Sequence, residues 1–409
     1  MSDKKYLFKR NNVWWVKLAV PLSLRSELGY DLRRTTGETD LDKAIPIRDK
    51  IIEEFKTEFQ IRKVNADDKG IVLRGTEHMQ KTDISDPQYF HKVVDCQYAC
   101  PAHTNVPEYI RLIAQKKYDD AYMLNWESNV FPGILGRTCD RPCEPACRRG
   151  RTHDKPVAIC RLKRVTYDYK NDIDPYLPEI PKVKNGKKIG LIGAGPASLT
   201  VARDLLPLGY EVTIFEKDNK PGGLMRTNIP SFRLPAEVLD EEVYRIIKMG
   251  AELKTNSYID SLENVIDSFD AVFVGTGAPK GKDLEIPGRK EASENIHIGI
   301  DWLTSIAFEH TKSIGKKVIV IGGGNTAMDC CRTAIRLGAD DVKVTVRSPK
   351  SDMKASDWEL EEAIDEGIPI LDNTSPKEFL LDDEGKLKGM KFEKMEAQYT
   401  DGKRKLIPT

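Results

Sequence analysis

"KKIGLIGAGPASLTVARDLLPLGYEVTIFEK", residues 187–217, decides the fold class. It reads as a short apolar strand, a glycine turn, a helix, and a second strand ending on an acid. Gly193 suits the tight turn after the strand, and Gly195 lets the backbone approach a pyrophosphate. Ser198 is small enough for helix and strand to pack closely. Pro196 and Ala197 open the helix, whose free N–H groups and positive dipole end favour a phosphate. Glu216 closes the second strand, where it can accept hydrogen bonds from an adenosine ribose. A lone G-x-G-x-x-S is weak; with strand, helix and terminal acid it predicts a Rossmann-like, α/β dinucleotide-binding domain.

A second stretch repeats the plan: "KKVIVIGGGNTAMDCCRTAIRLGADDVKVTVRS", residues 316–348. Its turn offers Gly322, Gly324, Asn325, Thr326 and Ala327. Its second strand ends on Arg347 rather than an acid, with Lys350 close behind. A ribose 2′-phosphate calls for a cation there, so Arg347 favours NADP(H) over NAD(H); the plainer reading is a solvated strand end. Cys330 and Cys331 lie on this unit's helix and read as small buried hydrophobes. Two nucleotide sites suggest a flavin and a nicotinamide exchanging a hydride. "PGGLMRTNIPSFRLP", residues 221–235, supplies Gly222, Gly223 and Leu224, which suit backbone lying close to a flavin ring. "FDAVFVGTGAPKG", residues 269–281, is an apolar strand running into Gly275, Thr276 and Gly277, a shape for a chain crossing between two nucleotide domains.

The chain has 409 residues, which predicts two or three domains, and its 64 basic and 64 acidic side chains cancel. That balance gives no overall pull toward nucleic acid or membrane. No apolar run is long enough to span a bilayer, and "MSDKKYLFKRNN" lacks the apolar core of a secretory signal, so the cytoplasm is the expected compartment. Of 8 cysteines, all but Cys330 and Cys331 cluster between residues 96 and 160. Clustered thiols in a reducing compartment read as metal or redox ligands before disulfides. In "GRTCDRPCEPACRRG", residues 136–150, Cys139, Cys143 and Cys147 recur at helical spacing, yet Pro142 and Pro145 forbid the helix.

Residues 1–65 hold a strand-like run, "YLFKRNNVWWVKLAVPLSLRSELG", and a helix-like one, "DKAIPIRDKIIEEFKTEF". They resemble the short N-terminal module of some phage-type integrases, beside the plainer reading of a small accessory domain. Residues 66–95 are polar and linker-like. Residues 66–178 form the expected helical domain with this leading linker, containing the helix-like "VPEYIRLIAQKKYDDAYMLN". The proline-rich "DIDPYLPEIPKVKNGKK", residues 172–188, marks a boundary. The first nucleotide domain is expected over 187–290 and the second over 291–409.

On "CQYACPAHTNVPEYIRLI", "GRTCDRPCEPACRRG", "PVAICRLKR", "GAGPAS", "PGGLMRTNIPSFRLP" and "IGGGNTAMDC", the chain resembles the glutamate synthase small (β) subunit family from about residue 90 onward. That family includes the N-terminal half of dihydropyrimidine dehydrogenase. The resemblance implies a helical iron–sulfur domain, an FAD domain and an NADPH domain inserted into it. It also implies an electron path from NADPH through FAD and iron–sulfur clusters to a larger catalytic subunit or other acceptor. The prolines then let the loop wrap a cuboidal cluster. A [4Fe–4S] cluster would take Cys100, Cys139, Cys143 and, from the "CRLKR" turn, Cys160, with zinc the non-redox rival. Cys96 and Cys147 would remain from a second cluster, with His91 and Gln88 at places where the family has further cysteines. Arg148, Arg149 and Arg151 either stabilise a reduced cluster or form a solvated basic run. The resemblance implies a further strand and glycine turn that completes the FAD domain, and the sequence reaches "KRKLIPT" without it. No side chain is singled out as acid or base, hydride transfer needing none.

Overall fold

The computed structural model describes residues 6–10, 12–19, 31–67, 94–153, 155–400 and 403–409. The chain divides into two compact units, Met1–Tyr89 and Phe90–Thr409. The division falls within the 66–95 stretch read as linker-like, and the first unit's helix runs to Asp67.

In the first unit, strands β1 (Leu7–Arg10), β2 (Val13–Ala19) and β3 (Asp31–Thr35) form an antiparallel sheet in that order. Helix α1 (Leu41–Asp67) places Ile51, Ile52 and Phe55 against Val16. Leu7, Leu18 and Leu32 complete that small core from alternate positions of the strands.

The second unit begins with five helices: α2 (Asp95–Ala99), α3 (Val106–Ala114), α4 (Tyr118–Asn129), α5 (Pro132–Thr138) and α6 (Ile159–Asp168). The single helix-like stretch at 106–125 is thus two helices. Gln115 closes the first by donating its N–H to Arg111 and Leu112, and Lys116 takes a φ of 61° that a helix cannot continue. Asn105 caps α3 through the N–H of Glu108. Residues 142–146 are turns and no helix crosses Cys143, as the two prolines require.

Strands β4 (Lys188–Ile192) and β5 (Glu211–Phe215) flank helix α7 (Pro196–Leu205). A short helix α8 (Leu224–Thr227), the longer α9 (Ala236–Lys248), β6 (Glu252–Lys254) and β7 (Ala271–Val274) follow. The parallel sheet has the order β6-β5-β4-β7. Leu191, Ile214, Leu199 and Ala202 are fully buried between sheet and α7. The same core takes Tyr122, Trp126 and Ile134 from α4 and α5, which joins the cysteine-bearing helices to the first glycine-turn domain. Ile173, Leu177 and Ile180 pack on it too, so the proline-rich 172–188 segment is a strap rather than a free linker.

Helix α10 (Gly299–Ala307) leads into β8 (Lys317–Ile321), α11 (Asn325–Arg336), β9 (Asp341–Thr345), α12 (Asp357–Asp365) and β10 (Ile370–Leu371). This parallel sheet has the order β10-β9-β8. Its core includes Met328, Cys330 and Cys331 against Val344 and Trp302, so the paired cysteines are the buried hydrophobes their sequence suggested. Burial lifts both thiols to about 12. The antiparallel strands β11 (Thr374–Leu381), β12 (Leu387–Thr400) and β13 (Lys403–Pro408) come last. No helix among the described residues is long and apolar enough to cross a membrane.

Candidate functional site

Four cysteines come together around the end of α5. Cys139 terminates that helix, Cys143 lies in the proline turn, Cys100 ends α2, and Cys160 sits in the first turn of α6. The last is a correction: the "CRLKR" segment is helical, and it presents Cys160 from a rigid element rather than a turn. Cys160 is 2% exposed and its Sγ lies 3.4 Å from the carbonyl of Gly136. Its thiol bonds to the sulfur of Cys139, which holds Cys139 down at about 6 and drives Cys160 up. Burial raises Cys143 to about 12, and the neighbouring charges of Cys139 and Cys100 add to the rise. The backbone N–H of Arg141 donates to the Cys139 sulfur at 3.4 Å, and the Thr104 hydroxyl stands 3.5 Å from the sulfur of Cys100.

An ionised Cys139 pushes Cys143 and Cys160 up, so these thiols cannot all ionise without a cationic centre between them. The donor set therefore fits a polycationic iron–sulfur core, whose ligands must be thiolates. Among the described residues no three His, Cys, Asp or Glu side chains close on one point as ligands of a single ion. A four-iron core reaches thiolates set farther apart, each on its own iron.

The second pair stands apart from this group. Cys96 lies in α2, and its thiol is raised by burial first and by the nearby Cys147 next. Arg148 holds Asp95, beside Cys96, at 3.0 Å while remaining exposed. Arg149 is exposed as well. Gln88 and His91 lie outside the described residues. Sequence reasoning left three neighbours of the cysteines unassigned. Tyr109 is fully buried, donates to the carbonyl of Ile159 at 3.0 Å, and is pushed up by burial and then by Cys143 and Cys160. The Glu144 carboxylate accepts the N–H of Cys160 at 2.9 Å. Lys163, one turn along α6, is 5% exposed, and its charge favours the thiolates of Cys139, Cys143 and Cys160.

The first glycine turn is shaped for close backbone approach. Gly193 has a φ of +90°, and a Cβ there would stand 2.7 Å from the carbonyl oxygen of Gly275. Gly223 has a φ of +52°, and its Cβ would stand 2.7 Å from the Cα of Gly195. Three segments the sequence singled out separately therefore converge, and the Gly222 N–H donating to Ala194 at 2.9 Å ties two of them. Pro196, Ala197 and Ser198 form the first turn of α7. Ser198 is fully buried, its hydroxyl has no partner among the described residues, and it abuts Gly275, where a Cβ would lie 2.2 Å from Oγ. Its small size thus serves the crossing strand rather than only helix–sheet packing.

Glu216, 5% exposed, accepts the N–H of Ala194 at 2.8 Å and of Asp218 at 3.0 Å, one on each oxygen. Each oxygen keeps a lone pair, enough to accept from ribose hydroxyls. An orphaned hydroxyl and a cradle that Cβ atoms would fill both fit a dinucleotide. Leu224 is 55% exposed at the start of α8, and Gly277 (φ +68°) has no atom within 4 Å of where its Cβ would stand.

At the second turn, the N–H of Gly322 donates to Thr345 at 3.0 Å, and Gly324 precedes α11 with open space where a Cβ would be. Thr326 and Ala327 lie in that helix's first turn. Asn325 is held from both ends: its Oδ1 accepts the N–H of Ser356 at 2.8 Å and its Nδ2 donates to Ser356 Oγ at 3.3 Å. Arg347 and Lys350 are exposed beyond the end of β9.

Residues 89–174 match the family described as dihydropyrimidine dehydrogenase domain II, 4Fe-4S cluster. Residues 187–405, over half of the chain, match pyridine nucleotide-disulphide oxidoreductase. The small chain of glutamate synthase [NADPH] from Escherichia coli (strain K12) is 30% identical over 325 residues, 75% of this chain and 68% of that one. The chain belongs to the glutamate synthase small-chain family. Two further relatives of this chain are longer. An NADPH-Fe(3+) oxidoreductase subunit beta of Geobacter sulfurreducens is 33% identical over 341 residues, 79% of this chain and 51% of that one. An NADP(+)-dependent formate dehydrogenase subunit beta of Moorella thermoacetica is 34% identical over 340 residues, 76% and 48%. The chain thus spans about half the length of these two relatives.

Proposed function

We propose that this chain is the electron-input part of an NADPH-dependent, flavin and iron–sulfur oxidoreductase. Four cysteines, Cys100, Cys139, Cys143 and Cys160, are grouped in the same compact unit as two phosphate-binding glycine turns, and that observation carries the reading. When bound, a flavin takes a nicotinamide's two electrons as a pair and passes them singly, which an iron–sulfur cluster can accept. The residues do the positioning. Gly322, Gly324 and the N-terminus of α11 take the pyrophosphate of NADPH, and Arg347 with Lys350 takes its 2′-phosphate. Gly193, Gly195, Gly222 and Gly223 bring backbone close to FAD, whose ribose hydroxyls donate to Glu216. Lys163 offsets negative charge beside the cysteines.

The acceptor is a partner protein, either a larger glutamate synthase-type subunit or another complex of the formate dehydrogenase or ferredoxin-linked kind. The free state of the described cysteines suits a reducing cytoplasm. Anaerobic purification followed by a visible spectrum before and after NADPH tests the reading. Bleaching of a flavin band together with loss of broad iron–sulfur absorbance is expected. A colourless protein carrying stoichiometric zinc would overturn it.

A further inference from the structure

The Ser356 side chain links the second glycine turn to the cysteine loop. Ser356 occupies the N-cap of α12, where a serine hydroxyl ordinarily accepts from its own helix. Here it makes no such capping bond. Its Oγ instead accepts from Asn325 Nδ2 at 3.3 Å and stands 3.4 Å from Asp140 Oδ1, which accepts the hydroxyl proton. Asn325 is the first residue of α11, at the phosphate-binding turn, and Asp140 directly follows Cys139. The next residue, Arg141, lays its guanidinium over the Trp358 ring at 4.5 Å, two residues beyond Ser356. Its backbone N–H is the one that meets the Cys139 sulfur, and its φ is 55°. A helix cap has been diverted into a bridge, and a left-handed backbone is pinned by a cation–π contact on the same short helix. Both features tie the Cys139–Cys143 turn to the nucleotide-binding helix.

We infer that Asp140, Arg141, Ser356 and Trp358 are positioning residues that make nucleotide occupancy at Asn325 and the redox state of the cysteine site depend on each other. The inference rests on the proposed function. A phosphate arriving at the start of α11 competes for Asn325 Nδ2. Ser356 then loses its donor and turns, and Asp140 keeps its negative charge beside Cys139 with less of it neutralised. Both the anion and the freed carboxylate disfavour an added electron. By reciprocity, a reduced cysteine site binds the nucleotide less tightly, which favours release of the oxidised nucleotide after electrons have moved on.

The full chain, purified anaerobically, tests this with adenosine 2′,5′-bisphosphate, a redox-inert fragment of NADPH. The cluster's midpoint potential is measured by its paramagnetic signal with and without saturating ligand. The ligand is expected to lower the reduction equilibrium constant about fivefold. Ser356→Ala and Asp140→Ala should each remove most of that change, and Ser356→Thr, which keeps the hydroxyl, should restore it. A wild-type potential indifferent to bound ligand overturns the inference, as does an equal shift in Ser356→Ala. A chain that carries no cluster or binds no adenosine 2′,5′-bisphosphate overturns the proposed function as well, so the two failures are distinguishable.

Discussion

The carboxylate of Glu242 accepts the backbone N–H of Gly133 at 2.7 Å, fastening the cysteine-bearing helices to the first glycine-turn domain. Its other oxygen accepts the N–H of Ile134 at 2.9 Å, while the Tyr122 hydroxyl donates at 2.8 Å to the same oxygen as Gly133. Glu242 lies on α9, and the two amides are free donors of the first turn of α5, the helix that ends at Cys139. One buried carboxylate thus sets where the cysteines sit relative to the glycine turn.

Glu242→Ala strands two amide N–H groups and a buried phenol. We expect a loss of about 3 kcal/mol of stability in denaturant unfolding. Limited proteolysis should cut first between residues 130 and 150. A variant as stable as wild type would deny this carboxylate its fastening role.

The same group gives a pH dependence of known sign. Burial raises its pKa to about 7, against the pull of the two amides, Tyr122 and Arg245. A raised carboxyl pKa means the folded chain holds the proton more tightly than the unfolded chain does. Its stabilising contribution is therefore complete below the ordinary carboxylate range and is lost as pH rises through about 7. Relative to Glu242→Gln, the wild type should lose about 3 kcal/mol between those limits. Paired urea titrations across that range read the difference, and parallel curves would contradict it.

Iron content should separate the two sets of cysteines. Cys160→Ser removes a proposed ligand in the four-cysteine group and should leave the purified chain almost free of iron and acid-labile sulfide. Cys147→Ser touches only the pair with Cys96 and should leave the iron nearly unchanged. Equal losses in both variants would mean that the six thiols act as one site.

Much of this architecture was legible because its signals are local. The two glycine turns announce themselves by strand, turn and helix in sequence order. The prolines at 142 and 145 correctly forbade a helix through Cys143. What escaped is non-local. Nothing around Glu242 in sequence marks it as the acceptor for a helix start about a hundred residues earlier. Ser356 looks like an ordinary N-cap, and only the fold shows its hydroxyl turned toward Asp140. The "CRLKR" segment reads as a turn because Arg161, Lys163 and Arg164 crowd the start of α6. The break at Lys116 was invisible, since a lysine with positive φ carries no composition signal.

Arg347 should decide between the two nicotinamide cofactors. Its guanidinium is exposed at the end of β9 with no ion pair among the described residues, free to fork onto a 2′-phosphate. Arg347→Ser should weaken NADPH binding by ~2 kcal/mol, about thirtyfold, and leave NADH binding nearly unchanged. Parallel titrations of the two nucleotides measure the ratio. Equal weakening of both would place the residue on the shared diphosphate instead.

Lys163 should tune the electron carrier without holding it. It is buried on α6 one turn from Cys160, and its charge favours three of the four thiolates. A reduced cluster carries one more negative charge than an oxidised one, so a nearby cation stabilises the reduced form more. Lys163→Met keeps the length and the packing of the stem but removes the charge. The midpoint potential should fall by tens of millivolts while iron content holds. An unchanged potential would mean that solvent or another cation already screens Lys163 from the cysteines, and a loss of iron would make it a structural prop rather than a tuning charge.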